Sequence, residues 1–95
     1  MANNKIVKKD SKLAEGTIIR VQGPIVDVLF RGGVPLIFEA LSIDLDKEKL
    51  ILETEFEIGN NEVRTLALGP TDGLRRGQKV TRTRSPIKVP TGQKT

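Results

Sequence analysis

The sequence predicts an all-β protein, a small closed barrel of six antiparallel strands. Turn residues recur every ~8–12 positions from Gly16 onward, with hardly any helical periodicity, the spacing of short strands in a barrel. KLILETEFEI (49–58) alternates apolar and polar residues, as a half-buried strand does. Finally, Gly23-Pro24 falls where the apolar parity of the first extended segment inverts, and a sharp bend there suits a closed barrel.

Taken in order, GTIIRVQGPIVDVLF (16–30) places Ile19 and Val21 on one face, then Val26, Val28 and Phe30 on the other. A bulge or bend at Gly23 and Pro24 would turn both sets toward one core, because one extra residue restores the face that alternation loses. After Arg31-Gly32-Gly33, the run VPLIFEAL (34–41) reads as a second strand. In 49–58 the inward set is Leu50, Leu52, Thr54, Phe56 and Ile58, with Ile51, Glu53, Glu55 and Glu57 opposite. GNNE (59–62) returns the chain into VRTLAL (63–68) as an antiparallel hairpin, across which Arg64 is expected to meet a glutamate. Val80, and then Ile87 with Val89, supply the last strand pieces, punctuated by Pro70, Pro86 and Pro90.

Composition narrows the chemistry. The 95 residues support one domain and carry 16 Lys plus Arg against 12 acidic residues, a net charge of +4. That excess is mild beside the dense basic field of a dedicated nucleic-acid binder. Cysteine and histidine are both absent, which removes thiolate and imidazole chemistry, disulfides and ordinary zinc sites. No apolar run approaches the ~20 residues that span a bilayer, so no direct membrane insertion is expected. Residues 1–15, with four lysines and no sustained period, read as a flexible basic tail or, alternatively, a polybasic anchor. The barrel is expected over 16–92, with 93–95 either the start of a linker or a truncated end.

The basic stretch TDGLRRGQKV (71–80) is tested against a phosphate loop, which needs GxxxxGK[ST] between a strand and a helix. Its glycines, Gly73 and Gly77, have the wrong spacing, and Gln78 precedes Lys79; GQKT (92–95) has Ile87 where the first glycine belongs. Single-strand nucleic-acid binding would need stacking aromatics. The chain has three Phe and no Tyr or Trp, and Phe30, Phe38 and Phe56 all lie in apolar strand patterns that read as core. No specific nucleic-acid partner is expected. Glu53, Glu55 and Glu57 fit either a hard-cation site or a solvated strand face.

GPIVDV, VRTLAL, DGLRRGQKV and PIKVP, in this order and spacing, resemble the N-terminal barrel of the catalytic β subunit of F-type ATP synthase, over about residues 16–92. The noncatalytic α subunit has a related barrel, and VRTLALGPTDGLRRG is closer to the β pattern. The resemblance implies a scaffold: six-stranded barrels of alternating α and β subunits form a hexameric crown in the proton-driven synthase. It further implies α subunits as partners, weak self-association of the barrel alone, and a place at the cytoplasmic face of a bacterial inner membrane within a peripheral complex. The family's phosphate loop, catalytic residues, ATP/ADP and Mg belong to a part of the subunit outside this stretch, so no catalytic, cofactor or metal residue carries over. Thr91 departs from the usual PVG. The chain is accordingly expected to be a piece of a longer subunit. Asp72 and Gly73 are expected to form a turn, Leu74 to plug the barrel end, and Gly77 to permit a second bend. Arg75 and Arg76 are then either solvated or in contact with a neighbouring subunit.

Overall fold

The computed structural model describes residues 14–87. The expected tail, apart from Ala14 and Glu15, the segment 93–95 and the strand position Val89 lie outside them. Six strands form: β1 (Glu15–Gln22), β2 (Ile25–Leu29), β3 (Glu39–Asp44), β4 (Lys49–Gly59), β5 (Glu62–Ala67) and β6 (Lys79–Pro86). They close into a barrel in the order β1-β2-β5-β4-β3-β6, every neighbouring pair antiparallel. The expected fold class is what forms.

Alternation fills the interior. Ile18, Val26, Val28, Phe30, Leu41, Leu52, Val63 and Val80 lose all or nearly all contact with solvent. Gly16 is glycine for a steric reason: a Cβ there would stand 2.6 Å from the Phe30 ring. Thr65 turns its hydroxyl to the Val26 carbonyl at 2.8 Å, so this buried polar group is satisfied. The Thr54 hydroxyl, directly opposite it, is buried without a partner among the described residues.

Three expectations about local structure are corrected. The bulge that reconciles the two parities lies within β1, between Ile18 and Arg20, so that Ile18 and Val21 both turn inward, opposite Val28 and Val26. Gly23 and Pro24 instead make the two-residue turn of the β1-β2 hairpin, closed by Gln22 opposite Ile25. Gly23 has φ 60°, the positive angle that the first position of a II′ turn requires. The barrel bends there by reversing the chain, not by kinking one strand.

The run 34–41 is not one strand. Leu36 to Phe38 form an exposed turn, and β3 begins only at Glu39. Phe38 has φ 70°, uncommon for a bulky side chain, and stands at the end of this turn just before β3 begins.

β4 keeps its expected inward face only to Thr54. The register slips between Thr54 and Phe56 and again between Glu57 and Gly59. Each extra residue reverses the faces beyond it. Phe56 and Ile58 are therefore 48% and 42% exposed, and the expectation that Phe56 and Phe38 are core is wrong; Phe30 alone of the three Phe is core. The same slip separates the glutamates: Glu57 lies opposite inward-facing Val63, off the face that carries Glu53. The hairpin itself forms as expected, with Asn60 and Asn61 both at positive φ, as a I′ turn demands.

Candidate assembly surface

The basic stretch becomes two consecutive turns. The Leu74 amide donates to the Thr71 carbonyl at 3.1 Å and the Gln78 amide to that of Arg75 at 3.2 Å. Gly73 and Gly77 take φ 89° and 90°, positions where a side chain is strained. The Arg75 amide donates to the Gln78 side chain (3.0 Å), and that of Gly77 to the Ile18 carbonyl (2.8 Å). With the amides of residues 74, 75, 77 and 78 already engaged, no cluster of convergent free donors is left to cradle a phosphate. Asp72, Arg75 and Arg76 are exposed, and Leu74 is half-buried against the core.

The basic stretch is tied to the β1-β2 turn through its first residue, because the Thr71 hydroxyl donates to the Gly23 carbonyl at 2.9 Å. This double turn is also stitched to β1 at its bulge, where the Ile18 amide donates to Gln78. Between them lies a groove of about 420 Å³ lined by Ile19, Arg20, Val21, Leu74 and Arg76.

Two charge centres escaped sequence reading. Asp27, 1% exposed, receives Nε of Arg64 at 2.9 Å, Nη2 of Arg64 at 3.0 Å and Nε of Arg20 at 2.8 Å. Arg64 thus meets this aspartate on β2, not a glutamate on β4. The Arg64 hydrogen bonds, helped by Arg20, outweigh burial and hold the Asp27 carboxyl below its ordinary range. Arg64 also lies 6.0 Å from the centre of the Phe56 ring, within cation–π range. Arg20, Asp27, Arg64 and Phe56 are successive cross-strand neighbours on β1, β2, β5 and β4. The signal was a charged residue between two valines, but its partners are visible only once the pairing is known.

Glu39, 4% exposed, accepts a bidentate fork from Arg82, both bonds at 2.9 Å, and the amides of Leu36 (3.1 Å) and Arg84 (3.0 Å). Burial pushes its carboxyl up, yet the Arg82 fork and the two amides prevail and leave it lowered. This carboxylate fixes the 36–39 turn from beneath, while the Phe38 amide donates to the Thr54 carbonyl at 2.7 Å. Leu36, Ile37 and Phe38 are in consequence held outward, at 75%, 60% and 58% exposure. On β4, the neighbouring Glu53 carboxylate and burial raise the Glu55 carboxyl, one oxygen of which is buried without a hydrogen-bond partner among the described residues. No described cation forms an ion pair with either, nor with Glu57. Among the described residues no group of three or more His, Cys, Asp or Glu is placed to hold a metal.

Fold and surface together define a small closed β-barrel domain of six antiparallel strands, with ion pairs set into its wall and apolar residues displayed outside it. A family model described as ATP synthase alpha/beta family, beta-barrel domain, matches residues 18–84. The chain belongs to that family. The match begins inside β1 and ends inside β6, so it spans the whole circuit of strands. No helix of the described residues is long and apolar enough to cross a membrane.

Proposed function

We propose that this chain is the N-terminal barrel of a β-type subunit of ATP synthase and acts as an assembly module, joining α-type barrels on either side in an alternating ring. The family match over residues 18–84 carries the reading. The β assignment rests on VRTLALGPTDGLRRG, which is closer to the β than to the α pattern. In this reading ATP or ADP and Mg are handled by the rest of the subunit, and the barrel contributes neither nucleophile nor base. The assembled complex would be peripheral, at the cytoplasmic face of a bacterial inner membrane.

Competition is the direct test. The 95-residue chain, added to α-type and intact β-type subunits during reconstitution, should take the place of β-type subunits and not of α-type ones. Displacement of α-type subunits would overturn the β assignment, and no incorporation at all would overturn the assembly role. Titration calorimetry with Mg-ATP should give no specific micromolar site.

Exposed Phe38 and Phe56 favour one rival reading, a single-strand nucleic-acid platform, because bases stack on exposed aromatics. Glu53 and Glu55, which pair with no cation among the described residues, oppose it by repelling phosphate. Binding to labelled oligonucleotides should thus be weak and fade between about 50 and 200 mM salt. Tight, sequence-selective binding at physiological salt would favour the rival.

A further inference from the structure

Left-handed backbone at Asn60 and Asn61 suits a hairpin turn, but Phe38 at φ 70° and Arg84 at φ 62° have no such tolerance. Phe38 ends the exposed turn before β3. Arg84 lies in β6 where Thr83, Arg84 and Ser85 together stand opposite the single residue Ala40 of β3. Angles of this kind persist in bulky residues only where the surroundings over-determine them. What lies between these two segments is the Glu39 carboxylate, 4% exposed, and its four donors divide evenly. Oε1 accepts from Nη2 of Arg82 and from the Leu36 amide, Oε2 from Nε of Arg82 and from the Arg84 amide. One oxygen thus holds the turn, and the other holds the end of β6.

We infer that Glu39 is a latch that makes the displayed turn Leu36–Phe38 and the end of β6 one conformational unit, held or released together. A carboxylate suits the task because its two oxygens offer about four acceptor sites, one for each donor. A neutral amide side chain has one oxygen, and its own N–H groups would face the donors on the other side. Arg82 aims the latch, since a bidentate fork fixes the plane of the carboxylate and with it the direction of both amide bonds. A further bond runs the same way: the amide of Ile87, which follows β6, donates to the Phe38 carbonyl at 3.1 Å. Displacing the chain where it leaves β6 is therefore felt at the apolar turn, and displacing the turn is felt at the exit, because coupling between two sites is reciprocal. The inference rests on the barrel alone and not on the assembly reading.

Native-state hydrogen exchange of the 95-residue chain at pH 7, read amide by amide by NMR, tests it. Leu36→Pro deletes the donor on the turn side only, and it should speed exchange at the Arg84 amide by about tenfold or more. Arg84→Pro deletes the donor on the exit side and forbids the positive φ, and it should do the same at Leu36. Amides of β2 and β5, across the barrel, should keep their rates, which separates release of the latch from loss of the fold. Glu39→Gln should speed both amides by itself, and in that background neither proline should be felt at the remote amide. Where Arg84→Pro does not fold, Thr83→Val replaces it, because the Thr83 hydroxyl donates to the Ala40 carbonyl at 2.7 Å and shapes the segment that presents the Arg84 amide. Remote amides that keep parental rates, that speed up only as much as β2 and β5 do, or that still respond in the Glu39→Gln background would each overturn the inference.

Discussion

Replacing Arg82 with leucine isolates the most buried ion pair in the barrel wall. The two side chains are 12% and 4% exposed and share a bidentate contact, so neither charge is well hydrated. Removing one member of such a pair costs about 3–5 kcal/mol, because the remaining charge is left buried. Glu39 keeps the Leu36 and Arg84 amides, which places the expected loss at the lower end, about 3 kcal/mol. Against a total stability of about 5–15 kcal/mol this is a large fraction. Urea unfolding at pH 7 should show a midpoint lower by about 1–3 M for a domain of this size. The pH dependence follows from the sign of the change. Without Arg82, burial dominates and the Glu39 carboxyl in the folded state rises above its unfolded value. The variant's penalty is then absent at pH values below the unfolded value and grows as pH rises through the folded one. The deficit relative to the parent should shrink at pH 4, and adding Glu39→Gln should restore at least about 1 kcal/mol at pH 7 by removing the stranded charge. A deficit under about 1 kcal/mol, or one equal at pH 4 and pH 7, would refute the reasoning, because both the burial and the charge would then be inert.

Gly16→Ala should lower stability by about 1–3 kcal/mol by driving a methyl into the Phe30 ring, whereas Phe56→Ala should cost no more than about 1 kcal/mol, chiefly its contact with Arg64; thermal melts rank the two. Thr54→Val, which removes the unpartnered hydroxyl at nearly constant shape, should gain about 1 kcal/mol in urea unfolding. Gly77→Val, at φ 90°, should cost on the order of 1–3 kcal/mol, while Arg75→Ala/Arg76→Ala should shift stability by no more than about 0.5 kcal/mol per site. Acid should act in two directions. Asp27 and Glu39, lowered from 3.8 and 4.5, contribute stability above those values that is lost as pH falls through their folded values. Glu55, raised from 4.5, does the reverse, so Glu55→Gln should stabilise at pH 7 and not below pH 4.5, as equilibrium unfolding at several pH values will show.

The architecture was legible in the sequence because period-2 alternation and turn chemistry are local. KLILET names its inward side by itself, and GNN specifies a hairpin through backbone angles that those residues tolerate. The motifs from GPIVDV to DGLRRGQKV were likewise enough to point to the family that the match over 18–84 establishes. Where the parity slips was not local. Whether the extra residue falls at Ile19 or at Gly23, and whether Phe56 points in or out, depends on the register that neighbouring strands impose, and one slipped residue reverses every side chain after it. Nor could the sequence disclose the ion pairs, since Asp27 and Arg64 stand 37 positions apart, and Glu39 and Arg82 43 apart. Closing the barrel brought those residues onto adjacent strands. That closure buried Asp27 and Glu39 beneath their arginines and left Leu36, Ile37 and Phe38 outside, because a turn pinned by a buried carboxylate cannot fold its apolar side chains back into a core already filled by Phe30 and its neighbours.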